Sequence, residues 1–376
     1  MKNVRVGIIG LGNMGKGHLS YILEGKVSGL ELVAVADVTD AAKQWAKEHL
    51  PQEVAFFEQP QQLIESPTVD GVIVCTPHYS HPELAIECFK HNKHVLLEKP
   101  AGVYTKQVRE MNEAAAGSGV VFSMMYNQRM NPLYQKLKNL VDSGELGDIR
   151  RTNWIITDWY RSQHYYDSGS WRATWEGEGG GVLLNQSPHQ LDLWQWTVSL
   201  MPKRLRAFCY FGKARNIEVE NDVTAFVEYE NGGTGVFITT TIEAPGTNRF
   251  EVVGTRGKIV IENDKLVFSR LRESETEYNE RTTESFGKPE CWTIDVPIQG
   301  ENTGHRGITQ NWIDAILHDT PLIAPGEEGI NGLMLSNAML LSTWNDDWVE
   351  LPIDEDQFLE QLQQRIEESR KVRGEQ

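Results

Sequence analysis

The segment Gly10-Leu11-Gly12-Asn13-Met14-Gly15 follows directly on an apolar run, Val4–Ile9, and leads into a helical pattern. Glycines at this spacing, between a strand and a helix, suit a dinucleotide pyrophosphate. The first permits a tight turn and the second lets backbone N–H groups, those of Asn13 and Met14 among them, approach the phosphates. The third lets the helix pack on the strand with its N-terminus facing the negative charge. Asp37 closes the next apolar run, Ala34-Val35-Ala36-Asp37, about 20 residues beyond the last glycine, where a carboxylate accepts hydrogen bonds from ribose hydroxyls. Val38 and Thr39 beside it are not basic, so nothing there offers charge to a 2′-phosphate, and NAD is expected over NADP. Asp37 competes with Asp40 as the cap of the following helix, and Asp40 is the better placed.

The elements that must position these groups are legible as alternating patterns. Val4–Ile9, Leu32–Ala36, Gly71–Cys75, His94–Glu98 and Val120–Met125 are nearly continuous apolar runs, as in parallel strands covered on both faces. Lys16–Leu23, Asp40–His49, Pro82–His91 and Thr105–Ala115 read as helices between them, which predicts an α/β fold with a doubly wound parallel sheet over 1–125. After Met125 comes a helix at about Leu133–Ser143, and β-like runs then dominate to about residue 300. Val223–Tyr229, Thr234–Thr241, Arg249–Val253 and Lys258–Ile261 are strands of an α+β domain over 126–353. Two late helices, about Gly307–His318 and Gly329–Trp344, precede a helical tail over 354–376 with apolar Phe358, Leu359, Leu362 and Ile366.

Further motifs join the glycine turn. Cys75-Thr76-Pro77-His78 ends one strand and Glu98-Lys99-Pro100 ends the next. Later come Gly179-Gly180-Gly181, His189-x-x-Asp192, Gly304-His305 and Asn311. Together they resemble the glucose–fructose oxidoreductase / inositol dehydrogenase (Gfo/Idh/MocA) family over essentially the whole chain. The resemblance implies an NAD(P) domain joined to an α/β domain with an open, mostly antiparallel sheet that commonly forms subunit interfaces. It also implies that Thr76, Pro77, His78, His81, Glu98 and Lys99 line the cofactor, with Asn127 and Arg129 within reach of cofactor or substrate.

Oxidising a secondary alcohol requires a hydride acceptor and removal of the hydroxyl proton. Lys99, at the carboxyl end of a strand, is suited to hydrogen-bond the reacting oxygen and offset alkoxide charge. By resemblance His189 transfers the proton, and the residue four earlier is commonly aspartate. Here it is Asn185, which can position a hydroxyl or the imidazole but cannot raise the histidine pKa by charge. Asp192 is the nearest substitute if one helix face carries Asn185, His189 and Asp192. Against that, Ser187-Pro188-His189-Gln190 reads as a capping box with proline at the first helical position, which leaves Asn185 outside the helix.

From Trp154 to Trp196 the chain is dense in aromatics, with Asp158, Arg161, His164, Asp167 and Arg172 interleaved. Aromatic faces over sugar C–H surfaces with polar groups on the hydroxyls suit a glycoside or cyclitol pocket, for which Tyr160, His164, Asp167 and Arg172 are the candidates. About half of the aromatics are expected to be core instead. His305 is as well suited to a surface role as to the site.

A net charge of −17 opposes a nucleic-acid partner, since no basic stripe balances it. Four scattered cysteines suggest neither disulfides nor a metal site. No apolar run approaches a membrane span, and Met-Lys-Asn-Val-Arg leads into a segment too short for a signal peptide, so a cytoplasmic protein is expected. A homo-oligomer, dimer or tetramer, is expected as well. The rival to a dehydrogenase is a glycosidase that oxidises a sugar carbon transiently, eliminates the aglycone and reduces the carbon again without net redox. A second rival, a protein that binds NAD as a sensor ligand, has no use for both Lys99 and His189.

Overall fold

In the computed structural model, residues 3–169 and 171–374 are described; the Met1-Lys2 start read above lies outside them. Two compact units form. One comprises residues up to Met130 together with Thr303–Leu333, and the other Asn131–Asn302 together with residues from Met334 onward. Residues 303–333, inside the range expected for the second domain, thus group with the first, and the tail from 354 groups with the second. Two contacts explain the return. The Met124 N–H donates to the Ala324 carbonyl at 2.9 Å, and the fully buried Trp312 packs so closely on Gly71 that a Cβ there would lie 2.8 Å from its ring.

In the first unit the order is β1 (Val4–Ile9), α1 (Asn13–Leu23), β2 (Leu30–Ala36), α2 (Asp40–His49), β3 (Ala55–Phe57), α3 (Pro60–Glu65), β4 (Gly71–Val74), α4 (His81–Lys90), β5 (His94–Leu97), α5 (Thr105–Ala116) and β6 (Phe122–Met124). The six strands pair in parallel in the order β3-β2-β1-β4-β5-β6. All four residues of β4 and the last three of β5 are buried, as covering on both faces requires. Strand order reverses between β1 and β4, and at such a switch point the carboxyl ends of the strands open a crevice. The sequence pattern missed β3, which is three residues long and lies at the sheet edge.

In the second unit, α6 (Pro132–Asp142) precedes β7 (Ile149–Ile156), α7 (Gln163–Asp167) and α8 (Pro188–Val198). Then come β8 (Arg204–Phe211), β9 (Glu220–Glu228), β10 (Thr234–Thr240), β11 (Asn248–Gly254), β12 (Gly257–Glu262), β13 (Lys265–Leu271), α9 (Glu275–Arg281) and β14 (Cys291–Asp295). In the late chain, α10 (Gly304–His318) belongs to the first unit, α11 (Gly329–Asn345) spans both ranges, and β15 (Val349–Glu350) and α12 (Glu355–Arg373) end the second. The nine strands pair in the order β14-β13-β12-β11-β7-β10-β9-β8-β15, antiparallel except for β7 beside β10. One face of this sheet carries Trp154, Phe237, Phe250 and Val227, all buried, and Trp194 of α8 packs on Phe237 at 5.2 Å. On alternate positions the opposite face carries Phe208, Tyr210 and Phe226, all exposed.

Candidate active site

The β1–α1 turn is shaped by its glycines. Gly10 has φ +95°, and a Cβ on Gly15 would lie 1.9 Å from the Gly10 carbonyl oxygen, so neither position admits a side chain. Around Gly12, in contrast, a Cβ would meet nothing within 4 Å. Gly12 is also the N-cap of α1 and supplies no side-chain hydrogen bond. The helix therefore starts with uncapped N–H groups facing an open cradle, with Gly12, Asn13 and Met14 exposed, and this arrangement fits a pyrophosphate. Asp37 lies at the tip of β2, where Oδ2 accepts the Leu11 N–H at 2.7 Å and ties the strand tip to the turn. Its Oδ1 accepts the Thr39 N–H and hydroxyl. Thr39, not Asp40, caps α2, through the Ala42 N–H.

Two further motifs sit at the tips of β4 and β5. His81, at the start of α4, joins them: Nε2 lies 2.7 Å from the Thr76 carbonyl oxygen and Nδ1 2.7 Å from that of Pro100. Burial lowers its pKa, against the pull of those two carbonyls. Pro77 is exposed and His78 buried, in a short 3-10 turn, and the Ser80 hydroxyl donates to Thr76. Glu98 is buried at the end of β5, while Lys99 is half-buried. Burial alone would raise the Glu98 pKa, but the His18 ring on its carboxylate, with His305 and Lys99 nearby, holds it low, at about 2. Asn127 heads a 3-10 turn, Asn127–Met130, and its amide donates to His305 Nδ1 at 3.3 Å. His305 is thereby placed with this cluster. Arg129 is placed elsewhere: fully buried, it pairs with Glu328 and donates to the Ile323 carbonyl at 3.1 Å, a structural tie instead of a ligand contact. Asn311 is likewise structural, bonding the backbone of Pro321 and Ile323.

In the second unit, Val182–Gln186 form a π-helical turn and α8 begins at Pro188. Asn185 thus lies outside α8, and the shared face with His189 and Asp192 does not form. The helix boundary at Ser187 is as the sequence reads, but no side-chain cap forms there; the Ser187 hydroxyl bonds Thr239 Oγ1 at 3.0 Å. Asp192 is buried and accepts from Gln195 at 3.3 Å. The carboxylate beside Asn185 is instead Glu178, buried, which accepts the Asn185 amide and, at 2.6 Å, the Ala173 N–H. A second buried carboxylate, Glu220, accepts the Gly181 and Leu183 N–H groups at 2.8 and 3.0 Å and anchors the same turn. Burial raises the Glu220 pKa to about 7, although these N–H groups oppose the shift. His189 is half-buried in the first turn of α8.

Among the aromatics, Trp154, Tyr166, Trp175 and Trp194 are core. Tyr160 is exposed, with the Arg215 guanidinium 5.4 Å from its ring. His164 and Asp167 are exposed on α7, where Asp167 accepts the Gln163 amide at 2.9 Å. Arg172 donates to the Tyr165 hydroxyl at 2.9 Å and lies over the Trp171 ring. The sequence reading missed His18, Tyr21, Glu178 and Glu220. His18 lies three residues past the last turn glycine and Glu178 immediately before the triple glycine, signals available in hindsight; Glu220 left none.

Two family models match. Residues 4–126 match the oxidoreductase family, NAD-binding Rossmann fold, and residues 134–260 match the GFO/IDH/MocA C-terminal domain. A myo-inositol 2-dehydrogenase from Thermotoga maritima is 27% identical over 69% of this chain and 75% of its own. A levoglucosan dehydrogenase from Pseudarthrobacter phenanthrenivorans is 23% identical over 94% of this chain and 99% of its own. Among solved structures, the WlbA dehydrogenase from Chromobacterium violaceum, in complex with NADH and UDP-GlcNAcA, has a TM-score of 0.79 at 25% identity, covering 94% of this chain and 97% of that one. With both of its domain models matched in order along the chain, the protein belongs to the GFO/IDH/MocA family of oxidoreductases, and its first unit is an NAD-binding Rossmann fold.

Proposed function

We propose that this protein transfers hydride between a secondary hydroxyl of a sugar, glycoside or cyclitol and NAD. The observation that carries this reading is the common edge of one parallel sheet: the uncapped helix at Gly12, Asp37 and Lys99 all stand at strand carboxyl ends. Inositol and levoglucosan dehydrogenases among its relatives support the substrate class. NAD, when bound, supplies the hydride acceptor. The protein's own residues do the rest. Backbone N–H groups of Asn13 and Met14 hold the pyrophosphate, and Asp37 holds the adenosine ribose. Thr76, Pro77, His78, His81, Glu98 and Asn127 border the nicotinamide half. The Lys99 ammonium hydrogen-bonds the reacting oxygen, and His189 takes the hydroxyl proton. Tyr160, His164, Asp167, Arg172 and Asn185 orient the other hydroxyls.

The second unit, residues 131–302 together with those from 334 onward, is read as the substrate and oligomerisation domain expected over 126–353. The open sheet face with Phe208, Tyr210 and Phe226 supports a homo-oligomer, dimer or tetramer, built on it. Use of NAD and four cysteines without a disulfide support a cytoplasmic enzyme. The test is to mix purified protein with NAD and a panel of cyclitols, aldoses and glycosides while following reduced-nicotinamide absorbance and product release. NADH formation with a polyol supports the reading. Glycoside cleavage without NADH accumulation replaces it with the transient-oxidation glycosidase.

A further inference from the structure

Side chains from three elements of the first unit form a hydrogen-bonded chain at the tip of β5, and its far end fixes the direction of each bond as far as His18 Nδ1. Thr309 in α10 has Oγ1 3.0 Å from the His305 carbonyl oxygen. A carbonyl cannot donate, so the single hydroxyl proton of Thr309 points there. Tyr21 in α1 meets the same Oγ1 at 2.9 Å. With the threonine proton spent, the phenol is the donor. Its oxygen then offers only lone pairs to His18 Nδ1, so Nδ1 carries a proton and donates it. Across the ring, Nε2 lies 2.8 Å from Oε1 of Glu98, whose Oε2 accepts the backbone N–H of Lys99 at 3.1 Å. An ionised carboxylate only accepts, so Nε2 is protonated as well. His18 is therefore an imidazolium with Glu98 as its counter-ion, and both side chains are buried.

The surrounding groups agree. Glu98 is held ionised. The His305 ring lies edge-on 5.7 Å from His18, with its Nδ1 3.3 Å from the Asn127 amide. Burial lowers the His305 pKa and favours its neutral form. The Cys75 thiol and the Tyr21 phenol are pushed upward by burial and stay neutral. Lys99 is the remaining charged neighbour that acts on the pair.

We propose that His18 is a positioning residue for Lys99: as a buried imidazolium it neutralises Glu98, which then holds Lys99 by its backbone without cancelling the charge that acts on the reacting oxygen. The proposal rests on the role given to Lys99 above. A lone Glu98 carboxylate would cost too much in this buried place and would either take a proton or offset the lysine charge.

Two variants test it. His18→Gln removes the charge while keeping a donor. Tyr21→Phe removes the oxygen that keeps Nδ1 protonated and leaves Glu98 untouched. His18→Gln should lower kcat about tenfold or more, short of the ~10²–10⁴-fold expected from losing Lys99 itself. KM for NAD should stay near native, and the pH profile should gain an acidic limb absent from the native enzyme. Tyr21→Phe should shift the profile in the same direction by less. Nitrogen-15 NMR of histidine-labelled protein reads the ring directly, with the His18 signal identified by its loss in His18→Gln or its change in Tyr21→Phe. Both ring nitrogens should be protonated in the native protein at neutral pH. An unprotonated nitrogen in native His18, or a native pH profile in both variants, overturns the proposal. The NMR arm needs no substrate, and the pH dependence of NADH affinity replaces the kinetic arm if no polyol is oxidised. In that case the functional reading falls while the assignment of His18 is still decided.

Discussion

In the function proposed above, Lys99 and His189 carry out the proton work that the cofactor cannot. Lys99→Met and His189→Ala should each lower kcat by ~10²–10⁴-fold while leaving NADH affinity, read by fluorescence titration, nearly unchanged. If His189→Ala keeps more than about half of native kcat, the histidine is structural. In the proposed function Asp37 has two duties, since Oδ2 bonds the Leu11 N–H and the same carboxylate is assigned to the adenosine ribose. Asp37→Ser should therefore weaken NAD and relatively improve NADP, and a native protein that binds NADP tenfold more tightly would refute the assignment. Glu220 makes a prediction about pH. Its folded pKa, about 7, is above the ordinary glutamate value of 4.5. The folded state then holds a proton that the unfolded state has released, so this stability is fully present below about pH 4.5 and is lost as pH rises through 7. The change is on the order of 3 kcal/mol at most. Thermal melts between pH 4.5 and 8 should show the fall, and Glu220→Gln should flatten it. Single residues such as Lys99 and Asp37 were legible because each ends an apolar run. The Glu178 contact with Asn185 was not, because it depends on a π-helical turn that the capping signal at Ser187 does not foretell.

The β1–α1 turn separates the needs of folding from those of binding. At Gly15 a methyl group collides with the backbone of the same turn, whereas at Gly12 it projects into open space. Gly15→Ala should lower Tm and abolish binding. Gly12→Ala should leave Tm essentially native yet weaken NADH strongly, because the added methyl occupies ground the pyrophosphate needs. A Gly12→Ala protein that binds NADH as tightly as native would show that the cradle is used differently. The elements of the first unit were largely readable because strands buried on both faces leave continuous apolar runs. Those of the second were harder. In β7, Ile149–Ile156, the consecutive Arg150 and Arg151 are exposed and buried residues alternate only from Thr152 on, so the run looks polar. All five residues of β14 are exposed, and no hydrophobic pattern marks it. His18 and Glu98 stand 80 positions apart, a pairing that neither helix nor strand periodicity encodes.

At the scale of the whole molecule, the nine-stranded sheet buries one face under its own unit and leaves aromatic residues on the other. The association proposed for that face would remove them from water, against the repulsion between chains that each carry a net charge of −17. Sedimentation at micromolar concentration should show an oligomer that loosens at low ionic strength, and Phe226→Glu should give a folded monomer. A native monomer under these conditions would refute the interface. The return of residues 303–333 to the first unit bears on how the protein is made. When Met130 leaves the ribosome, the sheet it completes still lacks the Trp312 that packs on Gly71 and the Ala324 carbonyl that pairs with Met124. At 5–20 residues per second, synthesis of the intervening stretch takes about 10–40 s. Throughout that interval the nascent Rossmann sheet waits with an uncovered apolar flank, and a fragment that stops at Met130 inherits the same flank permanently. A circular permutant that begins at 303 supplies that cover before the sheet is made.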